Sequence, residues 1–271
     1  MKKIFKFLWK LRRSLKSIFQ DKSDKIPNIS VNIERNIIGK SINWSDIMCY
    51  KIWEWNIKIL YVSWIHWNEV WTIKLAYNLI NWLYENIIKL DNYCIYIMPC
   101  LNVDWYDLAI KNPDYFNWWK IWRFNSNNVD LNRNFDTKSF KEKSIRSFWK
   151  EYSESVEVFC WKSWNSEAET KILTNFIIKN NISVLFMFHN AWNDVMWNNT
   201  ELSKKLSKTY SDNTWFKLLT EEYWNTLKQT WTAKEWCDEN DITYLEIEWS
   251  SRYWSDWKVQ KNAIEETLFM L

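Results

Sequence analysis

Two histidines are the only imidazoles in this chain of 271 residues, and each follows an apolar stretch. His66 comes after the apolar run 59–62, and Glu69 lies three residues further on. His189 comes directly after the apolar run 182–188. Histidine nitrogens and carboxylate oxygens are common zinc ligands, and two His with one Glu leave a fourth position for water. These side chains therefore predict a catalytic site that holds one Zn²⁺ per chain.

A zinc-activated water also needs a nearby group that accepts its proton. Glu246 and Glu248 both lie in the strand-like run 242–248. Side chains alternate along a strand, so both carboxylates face the same side and the spacing leaves the choice between them open. The alternative interpretation is structural: histidines hydrogen-bonded in the core, and glutamates flanking an edge strand.

The pattern of apolar residues predicts strands alternating with helices. Ser166 and Glu169 have the spacing of a helix capping box. Strands and helices in alternation predict an α/β domain with a mixed, largely parallel central sheet flanked by helices. Ligands of such sheets bind outside the carboxyl ends of the strands, where the histidines and Glu248 lie. The predicted strands are 51–55 and 58–62 (joined by a tight turn at 55–57), 93–98, 182–188 and 242–248, and the predicted helices are 70–89, 166–179, 214–228 and 256–271.

The amino-terminal residues 1–22 carry eight Lys or Arg against Asp21 alone, whereas the whole chain has a net charge of +3. Apolar residues recur between them at helical spacing. We expect a basic amphipathic helix that contacts an anionic membrane surface, with a solvated extension as the alternative. A linker over 23–30 and a catalytic domain over 31–271 would follow.

No run in the basic amino-terminal segment is long enough for a signal-peptide core or a membrane span. The sequence is compatible with a location in the cytoplasm and with one at the membrane periphery. The remainder of the chain is slightly acidic, so we expect no nucleic-acid partner. The five cysteines are scattered without CxxC spacing and are expected to be buried thiols.

The chain contains one glycine and 24 tryptophans, where average usage would give about 19 glycines. Several tryptophans occupy places typical of glycine in turns, as in Asn43-Trp44 and Asp104-Trp105. Our hypothesis is that the gene uses UGA for glycine and that these codons have been read as tryptophan. The alternative is a tryptophan-rich binding surface. UGA codons at these positions would support the hypothesis, and UGG codons would contradict it.

A set of short motifs lies between the two histidines and beyond them. With Trp105 read as glycine, the chain strongly resembles the zinc carboxypeptidases, the M14 metallopeptidase family, over about residues 36–271. The motifs that carry the resemblance are His66-x-x-Glu69, Asn102-Val103-Asp104-Trp105, Arg123-x-Asn125, Val129-Asp130-Leu131-Asn132-Arg133-Asn134, Ser166-Glu167-Ala168-Glu169-Thr170 and Leu245-Glu246-Ile247-Glu248.

The resemblance implies zinc ligands and a group that orients one of them. His66, Glu69 and His189 would hold the metal. Asp130 would orient the first zinc histidine, fixing its tautomer and raising its basicity.

The resemblance also implies roles toward the substrate. Arg123 would stabilise the oxyanion on the attacked carbonyl. Asn132 and Arg133 would bind the free terminal carboxylate of the substrate, since a guanidinium binds carboxylates with two hydrogen bonds. Glu248 matches the general base of the family, which selects it over Glu246.

The chain departs from the family pattern at a few positions. Val103 and Ala168 stand where the family has proline. The tyrosine that closes over the substrate has no clear counterpart, and Tyr223 is a weak candidate for it.

These observations predict a zinc-dependent metallocarboxypeptidase that hydrolyses the C-terminal amide bond of a peptide or a murein peptide. One alternative is a zinc-dependent deacylase of the aspartoacylase or succinylglutamate desuccinylase type, which shares the His-x-x-Glu motif. Another is a non-catalytic peptide-binding module at a membrane surface. The preferred terminal residue and the oligomeric state stay open.

Overall fold

A computed structural model describes most of the chain beyond residue 32. The described residues are 33–53, 56–63, 65–66, 69, 71–86, 93–104, 124–141, 145–146, 156–157, 163–190, 192–226, 232–249 and 256–271. The predicted helix over 1–22 and linker over 23–30 lie outside them.

An eight-stranded mixed sheet forms the centre of the molecule, in the order β1-β2-β4-β3-β7-β10-β8-β9. The four central strands β4, β3, β7 and β10 run parallel. On one side β2 and β1 continue the sheet through antiparallel pairs, and on the other side β8 is antiparallel to β10 and parallel to β9. The predicted fold class is therefore confirmed. The strands of the sheet are β1 (Ile33–Lys40), β2 (Asp46–Ile52), β3 (Ile57–Ser63), β4 (Tyr93–Met98), β7 (Val184–Asn190), β8 (Asp194–Trp197), β9 (Lys217–Leu218) and β10 (Thr243–Trp249), while β5 (Ile145–Arg146) and β6 (Val156–Glu157) pair with each other.

The central strands carry apolar side chains on both faces of the sheet. Helices therefore cover both faces. One core contains residues of α1, α3 and α6, and the other contains residues of α2 and α5. None of the described helices combines the length and apolar character that a bilayer span needs. The helices are α1 (Trp71–Glu85), α2 (Ala168–Asn180), α3 (Glu201–Asp212), α4 (Glu221–Thr226), α5 (Ala233–Glu239) and α6 (Trp257–Phe269).

Three local predictions were wrong. Strands 51–55 and 58–62 do not form a hairpin: β3 pairs in parallel with β4 and β7, because its continuous apolar run suits a strand buried on both faces. The predicted helix 214–228 is instead the short strand β9 followed by α4. Ser166 does not cap α2: the N-cap residue is Glu167, without a side-chain cap bond, and the Ser166 hydroxyl donates to the Glu167 carboxylate (2.8 Å).

Two tryptophans have a backbone conformation that glycine adopts more readily, while the hypothesis that tryptophan stands in place of glycine stays a prediction. Seven described residues other than glycine have positive φ, and five of them are Asn or Asp, which tolerate this region. The other two are Trp44, at φ 65°, and Trp53, at φ 64°. Trp44 closes the β1–β2 turn by donating its N–H to the Ser41 carbonyl (3.1 Å), while its side chain is 79% exposed. The turn thus uses the backbone of residue 44 and gains little from its indole.

Replacing Trp44 by glycine should stabilise the protein by roughly 0.5–1 kcal/mol, since glycine adopts positive φ without steric strain. The free energy of unfolding from urea denaturation measures the change. Trp164→Gly is the matched control, because Trp164 is also exposed, at 50%, but its φ is not positive. Equal losses of stability in both variants would contradict the requirement for glycine at residue 44.

Candidate metal centre

The turn after β3 places His66 and Glu69 at the carboxyl end of the parallel strands. The Glu69 N–H donates to the His66 carbonyl (3.1 Å), and the Thr72 N–H donates to the Glu69 carbonyl (2.9 Å) as α1 begins. His189 is the penultimate residue of β7, and β7 is the strand adjacent to β3. Adjacent strand ends thereby bring together residues that are 123 positions apart in sequence.

Three buried side chains converge at this edge of the sheet. His66 Nδ1 lies 2.9 Å from Glu69 Oε1, and His189 Nδ1 lies 3.1 Å from Glu69 Oε2 and 3.1 Å from His66 Nδ1. Tetrahedral ligands at zinc–nitrogen bonds of 2.0–2.1 Å would lie about 3.3 Å apart. The donor types and their separations therefore fit one zinc ion.

The second nitrogen of His66 has its own acceptor. His66 Nε2 lies 3.1 Å from Asp130 Oδ1, and that oxygen also accepts from the Asn132 N–H (3.0 Å). Asp130 is fully buried. A proton held on Nε2 by this carboxylate leaves the Nδ1 lone pair directed at the other ligands, as metal binding requires.

The charges of the centre depend on each other. Burial alone would raise the pKa of Glu69, but His66 and His189 beside it hold that pKa well below its usual range. Burial alone would lower the pKa of His189, yet the carboxylates of Glu69 and Glu246 raise it to about 9. The site therefore holds the Glu69 carboxylate ionised and attracts positive charge.

The neighbouring strand β10 adds two carboxylates. Glu248 pairs with His189 in the β7–β10 register, and Glu246 pairs with Met187. Both glutamates are buried, at 5% exposure for Glu246 and 8% for Glu248, and ligand atoms of Glu246, Glu248 and His189 all lie within 4.8 Å of one another. Both carboxylates are thus next to the metal centre.

Asn132 and Arg133 lie in a short 3₁₀ helix, Leu131–Arg133, and both are buried. The Asn132 amide oxygen accepts from the Ala233 N–H (2.9 Å) at the start of α5, and Arg133 Nη1 donates to the Asn132 carbonyl (2.6 Å). The segment is therefore fixed against α5. Arg123, the predicted oxyanion group, lies outside the described residues. Tyr223 is in α4, with its ring 5.5 Å from Lys217 Nζ.

Several motif residues build a polar cluster that sequence reasoning did not assign. Glu167 accepts from the side-chain amides of Asn125 (2.6 Å) and Asn127 (2.9 Å). Asp104 accepts from the hydroxyls of Ser41 and Ser126. These bonds fix the loop before Asp130 to α2 and to the β1–β2 turn. The family motifs contain Asp104, Asn125 and Glu167, but nothing in the sequence pattern showed that these side chains bond to one another.

Comparison with known proteins decides the family. The model of the zinc carboxypeptidase family, peptidase M14, matches residues 17–270. The chain belongs to this family. Human carboxypeptidase B2 is 35% identical over 105 residues, which are 36% of this chain and 22% of that protein. The rat protein of the same name is 37% identical over 93 residues, 31% of this chain and 19% of its own length. The matched segments thus span about a fifth of these relatives.

Solved structures agree in fold. Bovine thrombin-activatable fibrinolysis inhibitor, in complex with tick carboxypeptidase inhibitor, gives a TM-score of 0.68 at 18% identity, covering 97% of this chain and 94% of that chain. Murein-tripeptide amidase MpaA from Escherichia coli O157 gives 0.61 at 15% identity, covering 89% and 92%. Both are similar in architecture, at identities that establish the fold alone.

Replacing Asp130 by asparagine should weaken zinc binding about 10- to 100-fold while leaving the three ligands in place. The amide can present its NH₂ group instead of an acceptor to His66 Nε2, which no longer favours the required tautomer. Dissociation constants from competition with a chromogenic chelator measure the effect. His66→Ala, which removes a ligand, should abolish stoichiometric zinc. Zinc affinity unchanged in Asp130→Asn would contradict the orienting role.

Glu169 gives the polar cluster a pH dependence. Burial, with the Asp104 and Glu167 carboxylates, raises the pKa of Glu169 from 4.5 to about 7. Between these values the unfolded chain loses the proton while the folded protein keeps it, so stability falls as pH rises from 4.5 to 7. Glu169→Gln should not show this loss. Its free energy of unfolding, relative to that of the wild type, should therefore rise by about 3 kcal/mol between pH 4.5 and pH 8.

Urea denaturation at both pH values tests the Glu169 prediction, with the exposed Glu266→Gln as a control that should show no such gain. A difference between Glu169→Gln and the wild type that does not change with pH would contradict it.

Proposed function

We propose that this chain is a zinc-dependent metallocarboxypeptidase, which removes the last residue of a peptide or murein peptide by hydrolysing its amide. The observation that supports this most strongly is the convergence of His66, Glu69 and His189. The Nδ1 atoms of the two histidines and the Glu69 carboxylate oxygens approach one another to 3.1 Å or less. Glu248 lies beside them, in a chain of the zinc carboxypeptidase family.

The three ligands fit a catalytic rather than a closed structural site. Two histidines and one glutamate leave a coordination position for water or for the substrate carbonyl. When bound, zinc would lower the pKa of that water and polarise the carbonyl. Asp130 would hold His66 in the tautomer that coordinates, through its 3.1 Å contact with Nε2.

Glu248 would act as the general base. Its register opposite His189 places its carboxylate at the carboxyl end of β10, on the side of the sheet where the ligands converge. A carboxylate there can accept a proton from the attacking water and deliver it to the amine nitrogen as the amide bond breaks. Glu246, two residues earlier, lies further from the strand end.

Asn132 and Arg133 would bind the terminal carboxylate of the substrate. Their backbone segment follows Asp130 directly, so the same turn that orients His66 also carries the carboxylate-binding side chains. The buried guanidinium of Arg133 would form charge-assisted hydrogen bonds that are stronger than those of an exposed cation. Arg123 would stabilise the oxyanion, a role that rests on the family motif.

The deacylase and the non-catalytic binding module remain the competing functions. A deacylase would act on N-acyl amino acids and leave longer peptides uncleaved. A binding module would bind peptides equally well with and without zinc. Parallel assays of peptides, murein tripeptides and N-acyl amino acids, each with the zinc-loaded and the zinc-free protein, separate these functions.

Glu248→Gln should keep zinc but lose about 10²- to 10⁴-fold in kcat, because the amide cannot accept the proton of the attacking water. Two quantities are measured on the same preparation. One is the release of the C-terminal residue from a peptide whose last side chain is uncharged, and the other is the zinc content. Glu266→Gln on α6, on the opposite face of the sheet, is the control and should match the wild type. An equal loss of kcat in Glu246→Gln would contradict the assignment of the base to Glu248.

A further inference from the structure

Asn102 is a buried motif residue to which neither the metal centre nor the proposed reaction gives a role. It lies in the segment that follows β4 and is fully buried. Its side-chain nitrogen Nδ2 lies 3.2 Å from the Ile65 carbonyl oxygen and 3.2 Å from the Phe124 carbonyl oxygen. Only the NH₂ end of an amide can donate to two carbonyls, so these neighbours fix its orientation. Asn102 therefore joins segments that lie 37 and 22 residues away in the sequence.

One of these bonds holds the backbone that leads into His66. Ile65 precedes His66 directly, and its carbonyl accepts from Asn102 Nδ2. The Leu101 N–H donates to the Ser63 carbonyl (3.2 Å), at the last residue of β3. Because β3 and β4 are parallel neighbours, the chain leaves both strands at the same edge of the sheet. Two consecutive residues after β4 thus donate to the chain on its way from β3 to the proposed zinc ligand.

The other bond holds the loop before Asp130. The Asn125 N–H donates to the Val129 carbonyl (2.8 Å), and Asn125 Oδ1 accepts from the Val129 N–H (3.0 Å). These two bonds close the loop into a compact turn between Phe124 and Asp130. A bond from Asn102 to the Phe124 carbonyl therefore acts on the position of the whole turn, including the carboxylate that follows it.

The contact between His66 and Asp130 depends on how these two segments lie relative to each other. His66 Nε2 and Asp130 Oδ1 are 3.1 Å apart, close to the upper end of the usual hydrogen-bond range. A small displacement of either segment would therefore weaken the bond. Removal of the Asn102 amide would leave two buried carbonyls without this donor, which is unfavourable unless the segments shift or admit water.

We propose that Asn102 is a positioning residue, which sets the distance between the zinc ligand His66 and its orienting carboxylate Asp130. This inference rests on the proposed zinc-dependent function and adds a residue on which the affinity for zinc depends. The Asn102 amide donates to backbone carbonyls, so it acts on the metal through His66 and Asp130 rather than as a ligand. Groups that orient a ligand from outside the metal's own shell govern affinity even when every ligand remains.

The test measures zinc dissociation constants by competition with a chromogenic chelator, in the absence of any substrate. Asn102→Ala removes both N–H donors and should weaken zinc binding about 10-fold, with one zinc still bound per chain at saturation. Asn198→Ala is the matched control. Asn198 is equally buried, and its Nδ2 donates to the Ile242 carbonyl (2.8 Å) before the first residue of β10, at the opposite end of that strand from Glu248. The control should lose stability in thermal unfolding but keep the wild-type zinc affinity.

A double-mutant cycle separates positioning from a general loss of structure. If Asn102 acts through the contact of His66 with Asp130, its removal should matter little once that contact is lost. Asn102→Ala should therefore weaken zinc binding less than about threefold in an Asp130→Asn protein, against about 10-fold in the wild type. Should Asn102→Ala fail to fold, Asn102→Ser replaces it in both backgrounds. Serine keeps one donor, so the loss of affinity should be smaller but equally dependent on Asp130.

Wild-type zinc affinity in the folded Asn102 variant would overturn the proposal. Equal losses with and without Asp130→Asn would also overturn it, because Asn102 would then act independently of that contact. Equal losses in the Asn102 and Asn198 variants would assign the effect to general destabilisation. Peptide hydrolysis by the wild type is assayed separately. Its absence beside the expected zinc affinities would refute the peptidase function alone, and hydrolysis by the wild type with unchanged zinc affinity in the Asn102 variant would refute the positioning role alone.

Discussion

The structure depends on the close approach of two imidazole nitrogens and a carboxylate in a buried site. His66 Nδ1 and His189 Nδ1 lie 3.1 Å apart, a distance at which they can form a hydrogen bond only if one of them carries a proton. A divalent cation held by His66, His189 and Glu69 would remove this requirement for a shared proton. Four acidic side chains are buried around this site: Glu69, Asp130, Glu246 and Glu248.

The architecture explains how such a costly cluster is maintained. Parallel strands end at the same edge of the sheet, so β3, β7 and β10 each deliver a functional side chain to one place without any long-range loop. The loop that carries Asp130 is fixed by hydrogen bonds from Asn125 and Asn127 to the first turn of α2 and by Asp104 at the β1–β2 turn. The polar motifs thus help to fix the loop that carries Asp130, the proposed partner of the zinc ligand His66.

Sequence reasoning reached the centre because its residues are rare or follow recognisable strands. Only two histidines exist, and the runs before them are apolar enough to indicate buried parallel strands. The helix α3 was missed because its buried stripe is narrow, consisting of Leu206, Tyr210 and two serines among polar residues. The false hairpin before residue 63 arose because strand pairing depends on distant partners, which local patterns do not reveal. The polar cluster around Glu167 was equally invisible, since its bonds join segments about 40 residues apart.

We propose that His66, Glu69 and His189 bind one zinc ion and leave one coordination position open. X-ray absorption at the zinc edge of the metal-loaded protein tests it directly, because it reports the ligand atoms and their distances. We expect a shell of nitrogen and oxygen at about 2.0–2.2 Å with two imidazole rings, and loss of one ring in His189→Ala. Sulfur ligands at about 2.3 Å, or a spectrum unchanged in His189→Ala, would contradict it.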